Sequence, residues 1–201
     1  MTKPNLFFST PVWAFQLDDY NVVNEEMYDY VKRLQNEDQN GIKKSNTNGW
    51  HSKDFDINDK EPHNFISFIS PSIEKTMKDM NWDTQKQIVK INNIWSIINI
   101  GGSANLRHQH GNSTISGAYY VRAPKNSGDI VFYDPRPAPV YSHPNAKAPN
   151  SLNAQVNAIS PKEGALILFP SFLDHSVNEN LTSEERIVIS FNITIQIKNK
   201  S

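Results

Sequence analysis

The feature that most constrains the fold is a change of sequence pattern after Trp82. Residues 88–100 are rich in β-branched side chains, which favour strands. Further short apolar runs follow between turn residues, at 114–121, 129–133, 155–159, 165–169, 175–177 and 187–197. Many short strands with frequent turns are typical of an antiparallel sandwich or barrel. We therefore expect a mainly β protein with helices packed outside the sheets.

The first part of the chain, up to about residue 85, has helical patterns instead. Residues 21–39 have the apolar spacing of a helix with one buried stripe, formed by Val23, Met27, Tyr30, Val31 and Leu34. A second helix is expected to begin at Ser70-Pro71, with Ser70 as the cap and Pro71 in the first turn. Its inward side would carry Ile73, Met77 and Met80.

Composition limits the classes of protein to consider. The 201 residues and 37% hydrophobic content suit one domain over 1–201, with a β core at about 86–198. A net charge of −1 gives no sign of binding to nucleic acid, and no apolar run is long enough for a membrane span. The absence of cysteine excludes thiolate chemistry. Without a signal-peptide pattern at the N-terminus, we expect a cytoplasmic protein.

Two of the six histidines form the sequence His108-Gln109-His110. On an extended segment, residues i and i+2 point to the same side, so both imidazoles can bind one ion. The best third ligand is His175, where a loop enters a short apolar strand. Imidazole suits iron, zinc, copper and nickel. The pair alone is weak evidence, because neighbouring histidines are often ordinary surface residues.

Arg186 opens a strand 11 residues after His175. If Ile187 and Ile189 pack against the helices, strand alternation points Arg186 and Ser190 into the barrel. A guanidinium group buried there would be costly without an anion, and its planar fork binds carboxylates. The alternative is a surface arginine paired with a neighbouring glutamate, and the residue alone does not decide between the two.

Together these segments resemble a family of iron(II)- and 2-oxoglutarate-dependent oxygenases found in bacteria and phages, similar in outline to the prolyl hydroxylases. The matching segments are His108-x-His110, 116–121, 169–171, His175-x-Val177 and 186–192, with weaker matches at 6–12 and 48–52. The match is strongest over 95–192. The resemblance implies a double-stranded β-helix (a cupin-like jelly roll) with a metal near one open end.

The resemblance also implies roles for single residues. His108 and His175 match metal ligands, and Arg186 matches the residue that binds the far carboxylate of 2-oxoglutarate. Ser190 and Tyr120 match groups that bond the same carboxylate, although Tyr120 could equally be a core residue. On the same strand, Tyr119 would point outward and Ser116 would share the face of Tyr120.

Two asparagines extend this group of candidate residues. Asn99 and Asn192 either bond the cosubstrate or satisfy backbone groups. No catalytic residue is expected beyond the metal ligands. Iron(II), 2-oxoglutarate and O₂ would be required, with ascorbate as a stimulant.

The middle metal ligand departs from the pattern of the broader superfamily, which has Asp or Glu where this chain has His110. Three neutral ligands make the site one charge more positive, which favours an anionic cosubstrate. Three-histidine sites also serve zinc hydrolysis and iron chemistry without 2-oxoglutarate. Alternatively His110 is not a ligand, and water or a carboxylate such as Asp134 takes its place. We favour His110.

The expected function is therefore a 2-oxoglutarate-dependent dioxygenase, and specifically a hydroxylase, acting on a small-molecule or peptidyl substrate. Two alternatives remain: a three-histidine cupin-type metalloenzyme without 2-oxoglutarate, and a non-catalytic phage structural or interaction protein. If the chain is viral, its location would be the host cytoplasm. Exposed edge strands would permit a homodimer.

The substrate itself is not identified by the sequence. The loop 134–150 contains five prolines and is expected to help form the substrate mouth, through Arg136, Tyr141 and His143. Arg122 either contributes to the same mouth or is solvated. His51 and His63 are expected to be structural or surface residues, and the same alternative stays open for His143.

Overall fold

The computed structural model describes residues 4–136 and 144–198, which form two helices and eleven strands. The helices are α1 (Tyr20–Glu37) and α2 (Lys60–Asp79). The strands are β1 (Trp13–Gln16), β2 (Asn46–Thr47), β3 (Trp50–His51), β4 (Gln87–Asn99), β5 (Ala104–His108), β6 (Ile115–Arg122), β7 (Ile130–Tyr133), β8 (Val156–Ile159), β9 (Ala165–Pro170), β10 (His175–Val177) and β11 (Arg186–Ile197).

The strands form two antiparallel sheets. The larger sheet has the order β1-β9-β6-β11-β4-β3, and the smaller has the order β2-β5-β10-β7-β8. Consecutive strands often lie in different sheets, as β9, β10 and β11 do, so the chain winds between the two layers. This is the arrangement of a double-stranded β-helix, and it confirms the expected mainly β jelly roll with flanking helices.

The outer face of the larger sheet packs against both helices. Phe65 of α2 makes edge-to-face contacts with Tyr119 and Phe191, at ring-centroid distances of 5.1 and 6.4 Å. Ile187 and Ile189 are fully buried in the same cluster. A second, smaller cluster that includes Ala118, Tyr120, Ile130, Phe132, Ile167 and Phe169 lies between the sheets. The alternation predicted for β11 is therefore confirmed, because Ile187 and Ile189 face the helices and Arg186 faces the space between the sheets.

Helix α2 begins at Lys60, eleven residues before the start predicted from the sequence. Pro71 lies inside the helix, where its ring removes one backbone donor. The apolar stripe that runs through Phe65, Ile69 and Ile73 is buried on both sides of the proline, and this burial outweighs the local defect. Met80 follows the helix and is exposed, contrary to prediction. Neither helix is long and apolar enough to cross a bilayer, within the described ranges.

The predicted strands of the second half all appear, within about two residues of their expected ends. Four others were not predicted: β1, β2, β3 and β5. Three of these lie in the part expected to be helical, and β2 and β3 have only two residues each. Two residues are too few to show the alternation of a strand. The partners with which these strands pair are also distant in sequence.

Candidate active site

Three histidines meet near one end of the space between the sheets. His108 ends β5 and His175 begins β10, and the two are direct partners across the ladder, with ring centroids 4.3 Å apart. His110 lies just beyond β5, with its ring 5.1 Å from that of His108 and 5.0 Å from that of His175. One nitrogen from each ring lies within 4.8 Å of the others. The predicted cluster of three histidines is thus assembled.

Backbone carbonyls orient two of these rings. The Nδ1 of His108 lies 2.7 Å from the carbonyl oxygen of Leu106, and the Nδ1 of His175 lies 3.0 Å from that of Leu173. A carbonyl only accepts a hydrogen bond, so each Nδ1 must carry the proton. The Nε2 of each neutral ring therefore keeps its lone pair for a metal ion.

A polar network holds the third ring. The Nδ1 of His110 lies 2.7 Å from the Oδ1 of Asn192 and 2.8 Å from the Oγ of Ser116. Asn192 donates from Nδ2 to Asn93, and Ser116 also contacts Ser171. Because the Asn192 oxygen accepts from both His110 and Ser116, the network favours a proton on Nδ1 of His110. The third ring then presents Nε2 in the same way as the other two.

Burial favours the neutral form of two of the three rings. Burial lowers the pKa of His110 to about 4 and that of His175 to about 3. Phe169 packs against His175 at a ring-centroid distance of 4.6 Å, and Phe132 lies at 6.3 Å. Three neutral imidazoles are a donor set that suits iron(II), so the residues fit such an ion.

The cluster lines a cavity of about 550 Å³ between the two sheets, and Arg186 lines the same cavity. Arg186 is 1% exposed and forms no ion pair with any described residue. The alternative of a surface arginine is therefore wrong. Glu185, its neighbour, is bound to Lys32 at 3.1 Å instead.

Three backbone carbonyls hold one arm of the Arg186 guanidinium. Its Nη1 donates to the carbonyl oxygens of Ser127, Gly128 and Asn178. Gly128 has φ +96°, and a Cβ there would lie 2.1 Å from the Asn178 oxygen and 2.7 Å from Nη1. Only glycine fits this cradle. The Nε of Arg186 is buried without a partner, and a buried donor of this kind would be satisfied by an anion bound in the cavity.

Tyr120 and Ser190 line the cavity with Arg186, on the neighbouring strands β6 and β11. The described residues offer no hydrogen-bond partner to either hydroxyl. Burial raises the pKa of Tyr120 to about 12, so the phenol is a neutral donor. The predicted pairing of faces is also confirmed: Ser116 lies on the same side as Tyr120, and Tyr119 packs outward.

The two candidate asparagines both line the cavity, in different settings. The described side-chain hydrogen bonds of Asn192 all belong to the network that holds the His110 ring. Asn99 donates from Nδ2 to Asn105 at 3.1 Å, while its Oδ1 is buried without a partner. Each of the two amide nitrogens has one described acceptor for its two N–H groups.

Three further residues of the cavity wall were missed by sequence reasoning: Lys44, His51 and Trp95. His51 is 3% exposed, and its ring stacks on Trp95 with an interplanar angle of 6°. Its Nδ1 donates to the carbonyl oxygen of Ser52. For His51 the only signal in the sequence was the weak family match at 48–52, whereas Trp95 lies at the start of the strongest match, at 95–192.

Other candidates lie away from the cluster. Arg122 is bound to Glu25 of α1 at 2.6 Å, on the helical side of the sheet, and it does not line the cavity. Asp134 is not part of the metal-ligand cluster among the described residues. Tyr141 and His143 lie outside the described residues.

Comparison with known proteins agrees with the geometry. A profile of the family described as "Putative 2OG-Fe(II) oxygenase" matches residues 93–192, which include the three histidines, Tyr120, Arg186 and Ser190. No curated protein matches the chain significantly.

Solved structures show the same fold at low identity. A prolyl-4-hydroxylase from Pseudomonas putida has a TM-score of 0.66 and 10% identity, with 94% of each chain covered. A viral collagen prolyl hydroxylase from Paramecium Bursaria Chlorella virus-1 has a TM-score of 0.60 and 13% identity, covering 90% of this chain and 94% of that chain. The non-haem epimerase SnoN of nogalamycin biosynthesis has a TM-score of 0.66 and 11% identity, covering 92% and 78%.

A jelly roll with a histidine cluster and a buried, unpaired arginine in one cavity defines a class of non-haem metal enzymes that bind an anionic cosubstrate. The chain belongs to the family of 2-oxoglutarate- and iron(II)-dependent oxygenases. Iron(II), 2-oxoglutarate and O₂ are the cofactor and cosubstrates that this membership implies.

Proposed function

We propose that the protein is a dioxygenase that hydroxylates a C–H bond of a small-molecule or peptidyl substrate. The observation that carries the proposal is the pairing, in one cavity, of a neutral three-histidine cluster with a buried arginine that has no carboxylate partner. When bound, iron(II) supplies the redox chemistry that couples oxidation of 2-oxoglutarate by O₂ to oxidation of the substrate.

We assign the iron to the Nε2 atoms of His108, His110 and His175. The support for His110 is the network through Asn192 and Ser116, which holds its ring as that of a ligand would be held. Because these ligands are neutral, the bound ion keeps its full charge, and a dianionic cosubstrate compensates it better than a neutral one.

We assign the far carboxylate of 2-oxoglutarate to Arg186, Tyr120 and Ser190. The cradle of carbonyls occupies Nη1, so the free donors of the guanidinium are Nε and Nη2. A carboxylate can accept from both of them while the two hydroxyls bond its outer lone pairs. Asn192 then acts as a support of His110, and Asn99 remains a candidate contact of the cosubstrate.

The protein side chains also exclude water from the reacting centre. Phe132 and Phe169 cover one side of His175, and the apolar cluster between the sheets closes the space behind them. Water exclusion strengthens the ion pair at Arg186 and limits unproductive oxidation.

The alternative of a three-histidine metalloenzyme without 2-oxoglutarate needs the cluster but not Arg186. The two functions are separated by succinate formation from 2-oxoglutarate in air, with iron(II) and ascorbate added. We expect slow succinate formation without substrate in the wild type, none in His175→Ala, and a large loss in Arg186→Met.

The second measurement of this test is the binding of 2-oxoglutarate to the iron(II)-loaded protein. Under anaerobic conditions, the iron(II)–2-oxoglutarate charge-transfer band should form in the wild type and weaken in Arg186→Met. If the wild type binds the metal but forms neither the band nor succinate, the oxygenase function is rejected in favour of the three-histidine alternative. Failure to bind metal at stoichiometric amounts would favour the non-catalytic alternative.

A further inference from the structure

One wall of the catalytic cavity has no part in the proposed binding of iron or 2-oxoglutarate. It consists of Lys44, His51 and Trp95, which we call the Lys44 wall. His51 and Trp95 come from the paired strands β3 and β4, and Lys44 lies just before β2. A five-carbon diacid fills only part of a cavity of about 550 Å³, so this wall remains for the substrate.

The cavity contains an excess of positive charge. Its described lining includes Lys44, Arg107 and Arg186 but neither Asp nor Glu. Arg107 is neutralised from outside the lining by Asp174, at 2.6 Å, and it also lies over the ring of Tyr133. Lys44 forms no ion pair within residues 4–136 and 144–198. It is therefore the one cavity cation left over after Arg186 takes the cosubstrate.

Lys44 belongs to a segment that is fixed to the strand carrying His108. Its backbone N–H donates to the Oδ1 of Asn46, and the next residue, Ser45, accepts a bond from the backbone of Leu106. Its ammonium group lies 6.0 Å from the centre of the Trp95 ring. Lys44 is itself exposed, so its ammonium group lies at the mouth of the cavity and not in its interior.

Trp95 is the second element of the wall. It is 7% exposed, and its Nε1 is buried without a hydrogen-bond partner. A buried indole N–H normally finds an acceptor, so this donor calls for one from a ligand. His51 stacks on the indole and holds its plane, and His110 contacts its edge at a ring-centroid distance of 5.8 Å.

The net charge of the site with iron(II) and 2-oxoglutarate bound also favours a further anion. Iron(II) and dianionic 2-oxoglutarate cancel, and the three histidine ligands are neutral, so Arg186 and Lys44 leave two positive charges. A carboxylate in the place of His110 would have left one. An anionic group of the substrate would reduce this excess of positive charge, whereas a neutral or cationic substrate would not.

We propose that the substrate is anionic, and that a carboxylate or phosphate group of the substrate binds at the Lys44 wall, between the Lys44 ammonium and the Trp95 indole. This inference rests on the proposed oxygenase function for the identity of the cosubstrate. It names the chemical class of the second ligand, which neither the family nor the similar structures assign.

The first experiment needs neither metal nor turnover. The emission of Trp95 is isolated as the difference between the wild type and Trp95→Phe, and it is quenched with iodide or with caesium at equal ionic strength. We expect iodide to quench more strongly by about fivefold, the effect of one solvent-screened charge. Lys44→Gln should remove this preference, whereas the matched control Lys43→Gln, an exposed lysine outside the lining, should keep it. Equal quenching by the two ions in the wild type, or an unchanged preference in Lys44→Gln, would overturn the proposal.

The second experiment separates the substrate from the cosubstrate as the source of the anion. Inorganic phosphate and acetate are titrated as competitors of iodide quenching, in protein loaded with nickel(II) and saturated with 2-oxoglutarate. Continued protection of Trp95 by either anion supports a substrate site. If 2-oxoglutarate alone abolishes quenching and phosphate adds nothing, the wall belongs to the cosubstrate and the proposal is wrong. If 2-oxoglutarate does not bind while phosphate still protects, the oxygenase function fails and the anion site stands.

Discussion

On the outer face of β6 and β11, Tyr119, Ile187 and Ile189 are buried against the helices. On the inner face of the same two strands, Tyr120 and Arg186 are equally buried but surround a cavity. The two faces therefore differ in what the buried groups contact and not in how deeply they are buried.

The polar groups of the two faces make this difference explicit. The hydroxyl of Tyr119 donates to Asn24 at 2.6 Å, and Asn24 in turn donates to a backbone carbonyl. The Nε of Arg186 is buried without such a partner, and the described hydrogen bonds include none to the hydroxyl of Tyr120. The polar groups named on the outer face have hydrogen-bond partners within the protein, whereas those named on the inner face would gain theirs from a ligand. Residues of the outer and inner faces alternate along each strand. Substitutions one residue apart should therefore separate effects on stability from effects on ligand binding.

The largest expected effect is at the cluster itself. His175→Ala removes one of three metal ligands, and we expect the affinity for iron(II) or nickel(II) to fall by more than about 100-fold with the fold retained. Calorimetric titration with nickel(II) measures the affinity, and circular dichroism checks the fold. His63→Ala, an exposed histidine of α2, is the control and should bind metal normally. Normal metal binding by His175→Ala would exclude this histidine as a ligand.

The comparison is tested most directly by neighbouring residues of β11. Arg186→Met should weaken 2-oxoglutarate binding by about 2–5 kcal/mol, because it removes one partner of a buried charge pair. It should lower the melting temperature less than Ile187→Ala does, because the lost hydrogen bonds to the cradle carbonyls are offset by removal of a buried guanidinium that lacks an anion. Ile187→Ala should show the reverse, with a loss of about 2–5 kcal/mol of stability and unchanged 2-oxoglutarate affinity.

Thermal denaturation and anaerobic titration of the charge-transfer band supply the two measurements for this pair. The separation of the faces would be disproved if both substitutions changed both quantities by similar amounts.

The support of His110 should have an intermediate effect. Asn192→Ala removes the amide oxygen that orients the ring, and we expect metal affinity to fall by about 10- to 100-fold. The exposed Asn92→Ala, whose side chain contacts Thr194 outside the cavity, is the control. Unchanged metal affinity in Asn192→Ala would indicate that His110 is not a ligand and would favour the alternative of water in its place.

The smallest effect is expected from the pair of adjacent tyrosines. Tyr120→Phe should raise the dissociation constant of 2-oxoglutarate by about tenfold, as expected for one hydrogen bond to a charged group, and leave stability unchanged. Tyr119→Phe should leave 2-oxoglutarate binding unchanged and cost about 1–3 kcal/mol, because it orphans the buried Oδ1 of Asn24. Titration and denaturation of the two variants side by side test this. Equal effects on binding would assign Tyr120 to packing alone.

Much of the inner face could be predicted from the sequence because it depends on local alternation. The β-branched run of β11 fixed which residues share a side, so the inward direction of Arg186 and Ser190 followed from Ile187 and Ile189. The spacing of His108 and His110 gave the metal pair in the same way, although His110 lies just beyond the end of β5.

The remaining features depend on contacts between distant segments. Lys44, His51 and Trp95 meet because β3 pairs with β4 across more than forty residues, and two-residue strands carry no pattern of their own. The start of α2 was misplaced because Pro71 obeys a local rule that the burial of Phe65 and Ile69 overrides. The network behind His110 joins residues of three strands, β4, β6 and β11, with residues of two loops, and no local rule brings these together.

The backbone carbonyls around Gly128 help to set the length of diacid that the cavity can hold. The main chain fixes the guanidinium at one end, and the ladder between His108 and His175 fixes the metal ligands at the other. The span that a diacid must bridge is thus set by backbone geometry, which side-chain substitution changes little. Selection among 2-oxo diacids by chain length would therefore persist while the Lys44 wall is altered, and evolution could exchange substrates without exchanging the cosubstrate.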